Sequence, residues 1–142
     1  ARLVGGRLEQ KTIAGVTYLD DSYNANPESM EAALNTLRQV PGAGRRIAVL
    51  GKMGELGEHA AEGYRRTGAA AARLADILLT VGPDSVAMST AARDAGLGRV
   101  HEVEDTAAAA RMLSQLARPG DLVLVKGSRS ARMETIFEHL QN

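Results

Sequence analysis

The stretch Leu19-Asp-Asp-Ser-Tyr-Asn-Ala-Asn-Pro27 predicts a junction between a β-strand and an α-helix. An apolar run ends in two adjacent carboxylates, and a polar loop leads to a helix start. Asn26 suits the N-cap of that helix, and Pro27 suits its first turn, where the missing N–H is no loss. The helix is then predicted over Pro27–Gln39, because apolar residues recur there at i, i+3, i+4 and i+7.

Strands and helices alternate along the rest of the chain, which predicts an α/β fold with an open, mostly parallel, doubly wound sheet and helices on both faces. Three predicted strands are continuous apolar runs, typical of parallel strands that are covered on both sides. An opening β segment over Arg2–Leu19 is expected to turn near Gly15. The other strands are predicted at Arg46–Leu50, Ile77–Val81, Val100–Val103 and Leu122–Val125, and the other helices at Glu58–Leu74, Ser85–Ala95, Thr106–Ala117 and Ser130–Gln141.

Two further strands run into polar loops that contain glycine. They are Ile47-Ala-Val-Leu-Gly-Lys-Met-Gly-Glu-Leu-Gly57 and Asp121-Leu-Val-Leu-Val-Lys-Gly-Ser-Arg-Ser130. Ligands of open α/β sheets bind just outside the carboxyl ends of the strands, so these loops and the Leu19–Pro27 loop are the candidate site. Turn chemistry alone is the alternative explanation for the adjacent carboxylates Asp20 and Asp21.

The last loop is a candidate anion site. Lys126 and Arg129 flank Gly127 just ahead of the N–H groups of a predicted helix, and both cations can donate charge-assisted hydrogen bonds. A solvated turn is the alternative. Ser128 and Ser130 are expected to cap the helix, because no histidine is near in sequence and no G-x-S-x-G motif is present.

Well-known cofactor motifs do not explain the three loops. The glycines of Gly51–Gly57 are spaced G-x-x-G-x-x-G rather than G-x-G-x-x-G, and the next strand ends without an acidic residue for a ribose. No Walker A sequence is present. Three histidines lie on separate predicted elements without a second ligand at metal spacing, which favours surface or capping roles: His59, His101 and His139. The sequence predicts no metal site.

Composition excludes several classes of protein. Lysine plus arginine and aspartate plus glutamate each number 17, so no basic footprint for nucleic acid is present. No apolar run approaches the roughly 20 residues that cross a bilayer. The absence of cysteine excludes disulfides and fits a cytoplasmic protein. A chain of 142 residues suits one domain, and its start at Ala1 suggests a piece of a larger protein.

The three loops closely resemble those of the C-terminal domain of the Mur ligases, enzymes of peptidoglycan synthesis. The resemblance rests on DDSYNANPESM (Asp20–Met30), VLGKMGELGEH (Val49–His59) and VKGSRSARME (Val125–Glu134), which occur in order over most of the chain. It is strongest toward members that join D-alanyl-D-alanine to UDP-N-acetylmuramoyl-tripeptide. The fold it implies is Rossmann-like.

The resemblance implies an ATP-dependent ligase with three domains, of which residues 1–142 would be the C-terminal one. The P-loop domain, which would hold most of the ATP and Mg²⁺, and the UDP-binding domain would lie outside this chain. The isolated domain is then expected to be inactive and monomeric, with no catalytic residue of its own. A non-catalytic Rossmann-like module that binds a nucleotide or small anion is the alternative.

Site residues carry over from the family by motif. Arg7, Asp21 and Asn24 would contact the nucleotide, with the Asp21 carboxylate accepting from the ribose hydroxyls. Four residues would contact the incoming dipeptide, the last three of them through its carboxylate: Asn26, Lys126, Ser128 and Arg129. Lys52 departs from the family, which usually has an acidic residue there, and the resemblance implies no role for it.

Overall fold

A computed structural model of the chain describes residues 8–140, which form one six-stranded sheet in the order β1-β2-β6-β3-β4-β5. The β1–β2 pair is antiparallel and every other pair is parallel. The strands are β1 (Glu9–Ile13), β2 (Val16–Asp21), β3 (Arg46–Leu50), β4 (Ile77–Val81), β5 (Val100–Val103) and β6 (Leu122–Lys126). The predicted open, mostly parallel α/β sheet is confirmed.

The first two strands form the expected hairpin. Ala14 and Gly15 both have positive φ, at 53° and 79°, as a two-residue turn between right-twisted strands requires. Ile13 and Val16 pair directly across this turn. The predicted β segment began at Arg2, and its residues 2–7 lie outside the described part of the chain.

Between residues 8 and 140, five helices connect or follow the strands, close to the predicted positions. They are α1 (Pro27–Gln39), α2 (Ala60–Leu74), α3 (Val86–Asp94), α4 (Thr106–Leu116) and α5 (Thr135–Leu140). Three short 3₁₀ turns lie at Gly57–His59, Pro83–Ser85 and Arg129–Ala131. No helix among residues 8–140 combines the length and the apolar character needed to cross a membrane.

The predicted start of the last helix at Ser130 is wrong, because α5 begins only at Thr135. The 3₁₀ turn at Arg129–Ala131 comes first, and Arg132 follows it with a left-handed φ of 51° that cannot continue a helix. The break lets Met133 bury its side chain against Gly51 and Gly127, where a Cβ would lie 2.6 Å from Met133 atoms. Packing of one methionine thus overrides the helical pattern. The predicted last residue, Gln141, lies outside the described residues.

Each face of the sheet carries its own apolar core. Helices α1, α2 and α3 cover one face, where Leu19 and Leu124 contribute, and helices α4 and α5 cover the other, where Tyr18 and Val125 contribute. Neighbouring residues of one strand therefore serve opposite cores, as expected for a doubly wound sheet.

Strand β6 lies between β2 and β3, and this order creates a crevice. The loops after β2 and β3 lead to α1 and α2 on one face, whereas the loop after β6 leads to α5 on the opposite face. Loops that diverge at the carboxyl ends of adjacent strands leave room for a ligand between them.

Helices α2 and α3 pack closely at Gly68, and we expect Gly68→Ala to be destabilising although alanine favours a helix. A Cβ at Gly68 would overlap the backbone carbonyl of Met88, which cannot move without shifting α3. Overpacking of this kind costs about 1–3 kcal/mol in free energy of unfolding, measured by urea denaturation.

The matched control is Gly63→Ala in the same helix. Its Cβ would lie 2.9 Å from Leu56 Cδ1 and 3.0 Å from Pro27 Cγ, and the leucine side chain can rotate away. Equal losses for the two variants would contradict close backbone packing at Gly68.

Candidate functional site

Backbone hydrogen bonds join three loops at the carboxyl edge of the sheet. The Gly54 N–H donates to the Ala25 carbonyl at 3.1 Å, which ties the loop after β3 to the loop after β2. The Ser128 N–H donates to the Lys52 carbonyl at 2.7 Å, which ties the loop after β6 to the loop after β3. The three loops that the sequence singled out therefore form one connected structure.

An ion pair lies beneath these loops. Asp21 and Lys126 are the last residues of β2 and β6 and are register partners in the parallel ladder. Lys126 Nζ donates to Asp21 Oδ2 at 2.7 Å and to the Asn24 carbonyl at 2.9 Å. The side chains are 3% and 12% exposed, for Lys126 and Asp21 respectively. Two of the three ammonium protons are thus used inside the protein, and they hold the first turn of the loop after β2.

The two asparagines of this loop shape its backbone. Asn26 is the N-cap of α1, as predicted: its Oδ1 accepts from the Ser29 N–H at 2.8 Å, while Ser29 Oγ accepts from the Asn26 N–H at 3.0 Å. Asn24 Oδ1 accepts from the Ala25 N–H at 2.9 Å. Both asparagines are exposed, so their side-chain amide groups can still donate to a ligand.

Arg129 is an exposed cation of the loop after β6 that borders the space between the loops. Its guanidinium lies over the Tyr23 ring, 5.2 Å from the centroid, which links this loop to the loop after β2. The expectation that Ser128 and Ser130 cap a helix is wrong, because their hydroxyls bond each other at 3.0 Å and α5 begins beyond them.

The loop after β3 is anchored from α2. Tyr64 Oη accepts from the Met53 N–H at 2.9 Å, and burial raises the pKa of Tyr64 above its ordinary value of 10.0. The phenol therefore stays protonated at neutral pH and keeps its own hydrogen to donate, with the Met53 carbonyl oxygen 3.4 Å away. Lys52 precedes Met53, and the Gly51 N–H before it donates to the Lys126 carbonyl. Hydrogen bonds therefore hold the backbone on both sides of Lys52.

A cleft of about 560 Å³ opens between the three loops. Its lining includes Asn24 and Asn26, Lys52 and Glu55, and Ser128 and Arg129. Four of the predicted site residues thus share one cleft, whereas Asp21 and Lys126 do not line it and instead end the strands from which two of its loops start. The predicted Arg7 lies outside the described residues.

A second cavity of about 450 Å³ adjoins the cleft on the β1 side. Arg129 and Tyr23 border it, together with Asp20 from the end of β2. Asp20 Oδ2 pairs with Lys11 Nζ at 3.2 Å, but its buried Oδ1 has no hydrogen-bond partner among residues 8–140. The sequence placed Asp20 in a candidate ligand loop but assigned it no individual role.

Lys52 is the residue that sequence reasoning left without a role. It borders the cleft and two further cavities, of about 430 and 230 Å³, on the β4 side. Its Nζ lies 3.9 Å from Asp84 Oδ2. In the described part of the chain, no group of three or more His, Cys, Asp or Glu side chains could hold a metal ion.

Comparison with known proteins identifies the family. The family model of the Mur ligase glutamate ligase domain matches residues 6–129. The chain belongs to the Mur ligase family. It is 43% identical over 143 residues to the UDP-N-acetylmuramoyl-tripeptide–D-alanyl-D-alanine ligase of Escherichia coli K12, covering 99% of this chain and 30% of that protein. The Mycobacterium leprae ligase of the same name is 39% identical over 94% of this chain and 29% of that protein.

Solved Mur ligases have the same fold. The MurF ligase of Thermotoga maritima in complex with ADP superposes with a TM-score of 0.81 at 28% identity, over 99% of this chain and 31% of that one. A domain from a putative UDP-N-acetylmuramate ligase of Haemophilus ducreyi gives a TM-score of 0.67 at 19% identity, over 95% of this chain and 98% of that one. The chain thus spans about 30% of the length of the ligases it matches.

We expect the Asp21–Lys126 pair to stabilise this Mur ligase domain as a unit. Asp21→Asn or Lys126→Met each leaves an uncompensated buried charge, which should cost about 3–5 kcal/mol in free energy of unfolding. The double variant removes both charges and should cost clearly less than the sum of the single losses, as measured by urea denaturation.

The control for this cycle is Arg65→Met, since Arg65 and Glu62 form an exposed pair at 2.7 Å. Its loss should cost less than about 1 kcal/mol. Strictly additive losses for Asp21 and Lys126 would show that the pair is not coupled.

Proposed function

We propose that the chain is the C-terminal domain of an ATP-dependent ligase that adds D-alanyl-D-alanine to UDP-N-acetylmuramoyl-tripeptide. One observation supports it above all: the loops that surround the cleft are the segments that carry the family resemblance. Two relatives that bear this ligase name, those of Escherichia coli and Mycobacterium leprae, are also 43% and 39% identical over 99% and 94% of this chain. The parent enzyme is proposed to be a cytoplasmic monomer.

The cleft suits the dipeptide. D-alanyl-D-alanine has one carboxylate, one ammonium and two methyl groups, and the cleft offers both charges and some apolar wall. Arg129 can donate to the carboxylate, and the exposed amide of Asn26 can donate beside it. Lys126 would act mainly from below, by holding the loop that presents the asparagines.

The nucleotide fits the end of β2. Lys126 holds Asp21 Oδ2 in place, and the same carboxylate has a second oxygen that can accept from a ribose hydroxyl. An acceptor that is already oriented loses little entropy on binding. We propose that Asp21 and Asn24, with Arg7, contribute these contacts, in line with the ADP complex of the Thermotoga relative.

Mg²⁺ does not fit the described residues, since no cluster of three or more metal-binding side chains occurs among them. We propose that the metal and the triphosphate are held by the remainder of the parent enzyme. ATP would supply a phosphoryl group that activates the tripeptide carboxylate as an acyl phosphate, and the dipeptide amine would displace phosphate from it.

This domain would then contribute binding and position rather than a reacting side chain. The cleft would orient the dipeptide amine toward the acyl phosphate, and closure of the domain over the other two would exclude water that could hydrolyse it. Rigid loops suit this task, because small errors in placement slow such reactions strongly.

The parent protein tests the proposal. With ATP, Mg²⁺ and UDP-N-acetylmuramoyl-tripeptide, it should release ADP in proportion to added D-alanyl-D-alanine, whereas the isolated 142-residue chain should fold and release none. If the parent protein binds nucleotide or anions but releases no ADP in response to the dipeptide, the chain would instead be a non-catalytic nucleotide- or anion-binding module. Turnover by the isolated chain would contradict the proposed division between domains.

Arg129→Ala should raise the KM of the parent enzyme for D-alanyl-D-alanine by roughly 10- to 100-fold, because a hydrogen bond to a charged group is lost. The KM for the UDP-tripeptide should barely change. Arg111→Ala, which removes an exposed arginine of α4 remote from the cleft, is the control. An equal rise in both KM values would mean that Arg129 shapes the fold instead.

A further inference from the structure

We propose that Lys52 is a specificity-determining residue that binds the carboxylate of the incoming dipeptide opposite Arg129, with Asp84 as the counter-ion that the carboxylate replaces. The inference rests on the proposed function and assigns a role within its cleft. It starts from the cations available to a ligand: Lys126 is 3% exposed and bonds Asp21 and Asn24, whereas Lys52 is 49% exposed and borders the cleft.

The backbone of Lys52 is held in place while its side chain is free to reorient. Its carbonyl accepts from the Ser128 N–H at 2.7 Å, and the next N–H, of Met53, donates to the buried Tyr64 hydroxyl at 2.9 Å. The preceding residue, Gly51, donates to the Lys126 carbonyl at 2.9 Å. Because these hydrogen bonds hold the backbone, the long lysine side chain can move its ammonium between neighbouring anions without disturbing the fold.

The pair with Asp84 is suited to exchange. Its atoms are 3.9 Å apart, beyond hydrogen-bond distance, and both side chains are open to solvent, at 49% and 61% exposed. Such a pair contributes little and is screened by salt. A ligand carboxylate in direct contact with the ammonium offers a stronger partner, because charge-assisted hydrogen bonds are the strong ones.

Position explains why Lys52 and Arg129 would act together. They come from the loops after β3 and β6, which are adjacent strands, and both side chains line the same cleft. A carboxylate has two oxygens and can accept from two cations on different sides. Lys52 also borders the cavities toward β4, so it marks the end of the cleft farthest from Asp21 and the proposed nucleotide. The dipeptide amine would then point toward the reacting centre.

The first test is Lys52→Met in the full-length enzyme. The KM for D-alanyl-D-alanine should rise about tenfold, at the lower end of the range for a charge-assisted hydrogen bond because the ammonium is half exposed. The value of kcat should change little. With the C-terminal amide of the dipeptide, KM should change less than about twofold, because the amide has no charge to lose. Lys52→Arg should restore most of the affinity.

The second test has the opposite sign. Asp84→Asn removes the competing anion, so the KM for the free dipeptide should fall by about two- to threefold. In the Lys52→Met background the same change should have no effect, since there is no cation left to release. This variant also serves if Lys52→Met proves poorly folded.

The matched control is Arg38→Met, in the last turn of α1. Arg38 and Asp76 form a pair with nearly the same geometry, 3.8 Å apart and 49% and 46% exposed, but away from the cleft. It should leave the KM for the dipeptide unchanged.

Two kinds of failure can be told apart. Suppose that the parent enzyme ligates D-alanyl-D-alanine, but that Lys52→Met raises the KM for the free dipeptide and for its amide equally, or raises neither. That result overturns the role of Lys52 alone. A rise in KM on Asp84→Asn overturns the exchange with Asp84. A parent enzyme without dipeptide-dependent ADP release overturns the proposed function itself.

Discussion

The buried ion pair between Asp21 and Lys126 is the constraint on which the site depends. It joins the last residues of two adjacent parallel strands, and its ammonium also holds the Asn24 carbonyl at the start of the loop above. Replacing such a pair by apolar residues is often neutral for stability, so stability alone does not explain it. The pair also fixes orientation, because the Lys126 ammonium holds both the Asp21 carboxylate and the Asn24 carbonyl oxygen in place.

The three loops that follow β2, β3 and β6 are joined to one another. Main-chain hydrogen bonds at Gly54 and Ser128 link neighbouring loops, and Arg129 reaches across to the ring of Tyr23. The backbone is thus held mainly by main-chain hydrogen bonds, while the exposed side chains remain available to ligands. This division suits a domain whose proposed task is to position a substrate amine.

Much of the fold and part of the site could be predicted from the chain alone. Apolar runs located the strands, and the i, i+3, i+4 pattern together with Asn26 and Pro27 located α1. The last helix was misplaced, because the helical pattern of Met133, Ile136 and Phe137 describes which residues are buried but not how the backbone reaches them. The left-handed Arg132 accompanies the burial of Met133 against Gly51 and Gly127, the residues that directly follow β3 and β6.

The sequence by itself determined the α/β class, the family, and the three loops at which function was expected, because these follow from local periodicity and contiguous motifs. Only the tertiary structure decided which of the predicted cations is buried in an ion pair and which is open to a ligand. Lys126 and Arg129 are three residues apart, yet the first turns inward to a strand 105 residues away and the second faces solvent. Lys52 had no role until folding placed it between three cavities, beside Asp84. Burial and pairing across the sheet are properties of contacts between distant segments, and no local pattern encodes them.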